Sequence, residues 1–456
     1  MRMSVIGTGY LGAVHAAAMA ELGHEVLGVD ADASKIEALA AGRAPFFEPG
    51  LPELLRANVQ SGRLRFSTSL EEAAEFADIH FICVGTPQRP GSHAADMVYV
   101  DAVATGLAPY LERPCLIVGK STVPVGTAAR LSDLIAELAP VGVQAKVAWN
   151  PEFLREGFAV EDTLRPDRIV AGTSSAEADA ILREVYAPIL ATGTPYITTD
   201  AATAELVKVS ANAFLATKIS FINAIAEVCD AAGADVLTLA DALGHDSRIG
   251  RRFLSPGLGF GGGCLGKDLR AFQARATELG VGQALSFLDA VDEINLNGRR
   301  RTVDLARTML GGSLAGRRIA ILGAAFKPES DDVRDSPALA VANALAREGA
   351  RVCVHDPEAT GNARAISPDL EYTTDLESVF DGAELTLLLT EWSHYRNIDP
   401  REYLARTQTP ALLDARHAVD PERWRDAGWT VRAIGRPGIG VLSGSIAEPQ
   451  ATPVAV

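Results

Sequence analysis

Near the amino terminus, Gly7-Thr8-Gly9-Tyr10-Leu11-Gly12 follows a short apolar run, residues 3–6, and leads into an alanine-rich stretch. Glycines at this spacing after a strand permit a tight turn and a close backbone approach to a pyrophosphate, which sits at the positive end of the next helix. An ordinary strand-to-helix turn can use the same triplet. The next β-type run, 25–30, separates the two readings, because it ends in Asp30, 18 residues beyond Gly12. A carboxylate there accepts from both ribose hydroxyls and repels a 2′-phosphate. The motif predicts a dinucleotide-binding unit that takes NAD rather than NADP.

Further β-rich runs at 79–84, 115–120 and 145–149 are separated by helix-length segments. That alternation implies a parallel sheet with crossover helices. Residues 201–232 break the pattern, with no Pro or Gly until Gly233, many alanines, and Leu206, Phe214, Ile219, Ile222 and Ile225 at helical spacing. A helix of that size is about 45 Å long, long enough to join two domains and to pack on a partner subunit. A second α/β pattern follows at 318–323, 351–355, 385–389 and 411–413, and residues 443–456 read as a loose tail.

The 456 residues are 48% hydrophobic with a net charge of −16, which excludes a disordered chain and disfavours nucleic acid or anionic membrane as partner. Residues 5–20 resemble a signal peptide, with Ala18-Met19-Ala20 as a cleavage site, but Gly7, Gly9 and Gly12 interrupt it. No run of the ~20 apolar residues of a membrane span is expected. The five cysteines form no CxxC pair, so neither a disulfide framework nor a metal site is expected, and a reducing cytoplasm fits. Cys83, Cys115, Cys229 and Cys353 lie in apolar runs. Cys264 differs, because six glycines stand within residues 257–266 and Lys267 and Asp268 follow it.

Such a loop leaves backbone N–H groups free around one thiol, and Lys267 or a helix N-terminus could lower its pKa toward a nucleophilic thiolate. A flexible glycine loop with an incidental cysteine is the competing reading. Lys208 and Asn212, four apart on the long helix, share one face and could steady an oxyanion, or could be ordinary exposed polarity. Residues 150–157 follow a strand end, where ligands bind in doubly wound sheets. Glu152 and Glu156 there could include a general base or merely cap a helix.

Together with Lys120-Ser121-Thr122-Val123-Pro124-Val125-Gly126-Thr127, residues 150–157, 205–223 and 260–268, Ala325-Phe326-Lys327-Pro328 and Asp331-Asp332-Val333-Arg334, the chain resembles the UDP-glucose/GDP-mannose dehydrogenase family over residues 1–436. Leu164-Arg165-Pro166-Asp167-Arg168 and residues 212–223 favour its UDP-glucose branch. The resemblance implies an α/β fold of two Rossmann-like doubly wound domains joined by a long central helix and a helical dimerisation region. The expected division is 1–200 for NAD binding, 201–300 for the central helical part with the Cys264 loop, 301–442 for nucleotide-sugar binding, and 443–456 as tail.

It further implies a homodimer that oxidises a nucleotide sugar's primary alcohol to a carboxylate with two NAD. By that resemblance Cys264 is the nucleophile, passing through a thiohemiacetal and a thioester. Lys208 and Asn212 steady the oxyanion, while Asp268, Glu152 and Thr122 orient water or act as base, and Glu156 is a further active-site carboxylate. Gly7, Gly9, Gly12, Asp30, Lys35, Thr86, Thr122 and Arg334 fall on cofactor positions. Phe153, Leu154, Lys208, Asn212, Phe253, Gly261 and Lys327 fall on substrate positions, with Arg248 donated by the neighbouring subunit. Gly263, Gly266 and Val209 depart from the family's usual Ser, Pro and aromatic, and Gly266 is expected to loosen the loop. The rival readings are GDP-mannose or a UDP-N-acetylhexosamine as substrate, a non-catalytic NAD- and nucleotide-binding protein, and a thiol hydrolase, which leaves the dinucleotide motif unexplained.

Overall fold

A computed structural model describes residues 1–437, and the expected tail at 443–456 lies outside them. Strands β1 (Arg2–Ile6), β2 (Glu25–Val29), β3 (Leu64–Ser67), β4 (Ile79–Ile82), β5 (Cys115–Gly119), β6 (Ala145–Trp149), β7 (Ile169–Gly172) and β8 (Tyr196–Thr199) form one sheet in the order 3-2-1-4-5-6-7-8. Strands β9 (Arg318–Leu322), β10 (Arg351–His355), β11 (Glu371–Thr373), β12 (Leu385–Leu388), β13 (Ala411–Asp414) and β14 (Thr430–Ala433) form a second, ordered 11-10-9-12-13-14. In both, the central strands are continuous apolar runs because helices cover both faces.

The second sheet is parallel throughout. The first corrects the expectation of a parallel sheet. β7 meets β6 antiparallel at Trp149 and Gly172, and β8 runs parallel to β7. Asn150 fixes this reversal, since its side-chain amide donates to Val170 O at 2.7 Å. The start of β7 therefore points toward the carboxyl edge of the sheet, where the ligand-facing loops lie.

Helix Ala201–Ala232 starts at Asp200, whose carboxylate accepts from Thr203 N at 2.8 Å, and ends at Gly233 in the left-handed region. Ala204 belongs to a core beneath the first sheet, whereas Ile222, Ala226 and Cys229 belong to the core of the second. One helix thus serves both sheets. Its apolarity corrects a further expectation: with a mean hydropathy of 1.3 it is apolar enough to cross a membrane by length and composition. Buried Glu205, Lys208, Asn212 and Asn223 on its inner face identify it instead as a core helix.

Trp149, at the end of β6, is 1% exposed; its ring fills the space beside Gly119, where a Cβ would lie 2.2 Å from it, and its indole N–H donates to Ser121 O at 3.2 Å. It joins the loops after β5 and β6. Trp149→Ala is expected to cost about 3–5 kcal/mol in urea unfolding followed by circular dichroism. A loss below ~1 kcal/mol would contradict this placement.

Candidate active site

The residues 7–12 turn fits a dinucleotide. Gly7 has φ +91°, and a Cβ on Gly12 would lie 1.8 Å from Gly7 O. Gly9 opens onto free space, and helix Tyr10–Glu21 begins there. Asp30 stands at the end of β2, its carboxylate accepting from Thr8 N at 2.8 Å and from Lys35 Nζ at 2.9 Å. Burial pushes the Asp30 carboxyl up, but Lys35 and the backbone donors outweigh it and hold it below the ordinary range. The site therefore presents a carboxylate to a ribose, with Lys35 beside it.

A second group of residues converges from five segments of chain. Lys208 and Asn212 are buried on the long helix. Lys208 Nζ pairs with Glu152 Oε1 at 2.9 Å, and Asn212 Nδ2 donates to Asp268 Oδ2 at 2.7 Å. Asp268 also pairs with Lys267 Nζ at 3.0 Å, and Lys267 donates to Thr86 O at 3.0 Å. The Thr86 hydroxyl in turn donates to Thr122 O at 2.7 Å. Burial lowers the Lys208 ammonium, but Glu152, Cys264 and Asp268 together leave it above its usual value. It stays charged.

Cys264 caps helix Leu265–Glu278 and is exposed, whereas the other four cysteines are buried. Its thiol is pushed up to about 11, first by the protein packed around the sulfur and then by Asp268 and Glu152. This corrects the expected lowering. Lys267 and Lys208 do oppose the rise, but each already neutralises a carboxylate. The residue is thus exposed while protein crowds its sulfur.

Glu156 lies apart from the Glu152 pair. Its carboxylate accepts from Ser330 Oγ at 3.0 Å and Arg334 Nη2 at 3.3 Å, and Lys327 donates to its backbone oxygen. Burial and then Asp332 raise the carboxyl to about 7, against the pull of Arg334. It ties the 150–157 loop to the loop after β9. Arg334 is held by Asp332 at 2.6 Å and lies over Gly263, where a Cβ would meet its guanidinium at 2.6 Å. The missing Ser side chain at 263 makes room for this arginine. Gly266 is buried in the first turn of helix Leu265–Glu278.

The Phe153 ring stacks under Arg168 at 3.8 Å, with Lys208 Nζ 5.7 Å from its centre, and Leu154 N donates to Glu152 at 2.7 Å. Gly261 is required by contact, since a Cβ would lie 2.3 Å from Asp335 O. Phe253 adopts φ 65°, a strained conformation for an aromatic residue. Arg248 is not brought to the site; it is 87% exposed and pairs only with Asp246. Sequence reasoning missed Arg416, a partly buried arginine whose guanidinium donates to Gly259 O at 3.0 Å and Leu389 O at 3.0 Å. Its position two residues past the end of β13, at a carboxyl edge, was the available signal. With Lys327 and Arg334 it places three cations near the loop after β9.

Residues 1–190, 202–297 and 320–421 match, respectively, the NAD binding, central and UDP binding domains of the UDP-glucose/GDP-mannose dehydrogenase family. The chain is 41% identical to UDP-glucose 6-dehydrogenase of Rhizobium meliloti, covering 96% of this chain and 100% of that one. It is 40% identical to UDP-glucose 6-dehydrogenase YwqF of Bacillus subtilis, over 98% of this chain and 100% of that one. Among solved structures, a UDP-glucose dehydrogenase from Pyrobaculum islandicum superposes with a TM-score of 0.87 at 40% identity, covering 95% of this chain and 97% of that one. The turn at Gly7 to Gly12, the converging Cys264 cluster and these matches along nearly the whole chain establish that it belongs to the UDP-glucose/GDP-mannose dehydrogenase family.

Proposed function

We propose that this chain oxidises the primary alcohol of UDP-glucose to the carboxylate, giving UDP-glucuronate. The observation that carries the reading is the convergence of Lys208, Asn212, Asp268 and Glu152 around the one exposed thiol. The relatives named above support UDP-glucose over GDP-mannose or a UDP-N-acetylhexosamine. NAD, bound at the 7–12 turn and Asp30, supplies a hydride acceptor for each of two oxidations. Lys327 and Arg416 hold the substrate's diphosphate locally against the −16 charge of the chain, and Arg334 serves the cofactor.

At the first oxidation the alcohol gives a hydride to the bound dinucleotide and its proton, through the water that Thr122, Glu152 or Asp268 orients, to solvent, and becomes an aldehyde. The Cys264 sulfur then adds to that carbonyl, its proton passing to the Asp268 or Glu152 carboxylate. Lys208 and Asn212 stabilise the oxyanion that forms. The resulting thiohemiacetal carries the C–H that a second hydride transfer needs, and its oxidation gives a thioester. Water, oriented by Thr122, Glu152 or Asp268, cleaves the carbon–sulfur bond, returns the thiol and supplies the second carboxylate oxygen. Glu156 orders the loop that carries Glu152 through Ser330 and Arg334.

We further propose a cytoplasmic homodimer. All five cysteines are free, in keeping with a reducing compartment. On the outer face of the long helix Phe214, Phe221 and Val228, seven residues apart, are 67%, 49% and 59% exposed, an apolar stripe that a second copy would cover. Such a partner also offers a route for Arg248 into a site its own chain does not let it reach.

With UDP-glucose the enzyme is expected to form two NADH per sugar, and no turnover with UDP-glucose would sink the reading. Cys264→Ser should abolish thioester formation and leave NAD affinity within about twofold in a binding titration; a lost NAD affinity would remove Cys264 from its assigned place. The raised thiol predicts slow alkylation of the unliganded enzyme. At pH 7.5 iodoacetamide should react with Cys264 more than about tenfold slower than with a free cysteine, accelerating as the pH climbs toward 11. Reaction at the ordinary thiol rate would contradict the geometry. In sedimentation, Phe214→Glu with Phe221→Glu should turn a dimer into a monomer, and a monomeric unmodified protein would refute the dimer.

A further inference from the structure

We propose that Glu205 is a positioning residue for this reaction, holding the Thr122 loop against the helix that carries Lys208 and Asn212. The inference rests on the reading given under Proposed function and extends it to a residue that touches neither cofactor nor substrate. Glu205 is 2% exposed on the inner face of the long helix, one turn before Lys208. Its two carboxylate oxygens accept from Gly126 N at 2.7 Å and Ala128 N at 2.7 Å. These are short, charge-assisted bonds to backbone. Gly126 has φ +96° and begins helix Thr127–Leu138, so the carboxylate grips the loop at its exit.

The same loop is held at two more points. Arg275, on the helix that Cys264 caps, donates to Val125 O at 3.0 Å, and Thr86 donates to Thr122 O. A small cavity of about 20 Å³ lies beside the loop between Thr122, Val123, Val125, Leu206, Val209 and Phe272. Close-packed neighbours normally fix a loop of this kind. Here polar ties add to the packing, and Glu205 supplies two of them. The tie makes one unit of the Thr122 loop, the Lys208 helix and the Cys264 helix.

A purely structural buried carboxylate would change melting and leave kinetics untouched. Glu205→Gln keeps the volume but sets an NH2 group against one of the two N–H donors, a mismatch large enough for about a tenfold effect. At a temperature well below melting, kcat should fall about tenfold and the NAD dissociation constant rise at least about fivefold, with KM for UDP-glucose within about twofold. Arg275→Met, which releases the opposite side of the loop, should move kcat and NAD affinity in the same directions by a smaller factor. Unchanged kcat and NAD affinity in both variants, with only melting altered, would overturn the proposal. If Glu205→Gln does not fold, Arg275→Met decides alone, and wild-type NAD affinity in it overturns the proposal. NAD titration needs no sugar, so failure of the parent enzyme to turn over UDP-glucose would count against the proposed function and leave Glu205 to be judged on NAD affinity.

Discussion

A buried ion pair and a buried hydrogen bond govern the cleft. Lys208 with Glu152 and Asn212 with Asp268 link the long helix to the loop after β6 and to the helix behind Cys264. Each partner alone would carry an uncompensated buried charge or polar group, which costs several kcal/mol. The groups therefore stay together, and staying together puts the ammonium and the amide beside the thiol. The polar cluster beside Cys264 and the burial of the long helix are the same set of contacts.

The acidic surface and the anionic ligand are reconciled by where cations are placed. Arg416 and Lys327 are lowered from their ordinary values by burial, and Glu391 and Glu156 respectively resist that shift. A buried guanidinium donating to the carbonyls of Gly259 and Leu389 fixes the glycine loop before any ligand arrives. Charge near the loop after β9 acts at short range, where screening by the rest of the protein is weak.

Much of this was legible from residue pattern. The central strands and the long helix stand where apolar runs and the absence of Pro and Gly put them. The strands that escaped notice were mainly β3, β8, β11 and β14, the four outer edges of the two sheets. These outer strands are short and part-exposed, so runs such as Glu371–Thr373 look polar. β7 escaped because four buried residues carry no period. In the site, Cys264, Lys208 and Asn212 could be named from type and spacing. The direction of the thiol shift could not, because it depends first on protein closing around the sulfur and then on Asp268 and on Glu152, a carboxylate distant in sequence that the fold brings beside it. Arg416 belongs to the same class, since nothing adjacent in the chain marks its reach to Gly259.

The reversed strand β7 has an effect of its own. In a uniformly parallel sheet the start of a strand lies at the floor, far from ligands, and loops there vary freely. Here the turn before Ile169 emerges on the cleft side, and Arg168 at its tip covers the Phe153 ring. Lengthening or shortening residues 165–168 would therefore reshape a wall of the cleft. A segment that in a simpler sheet is spare connection becomes, by one change of chain direction, part of what decides which molecule fits.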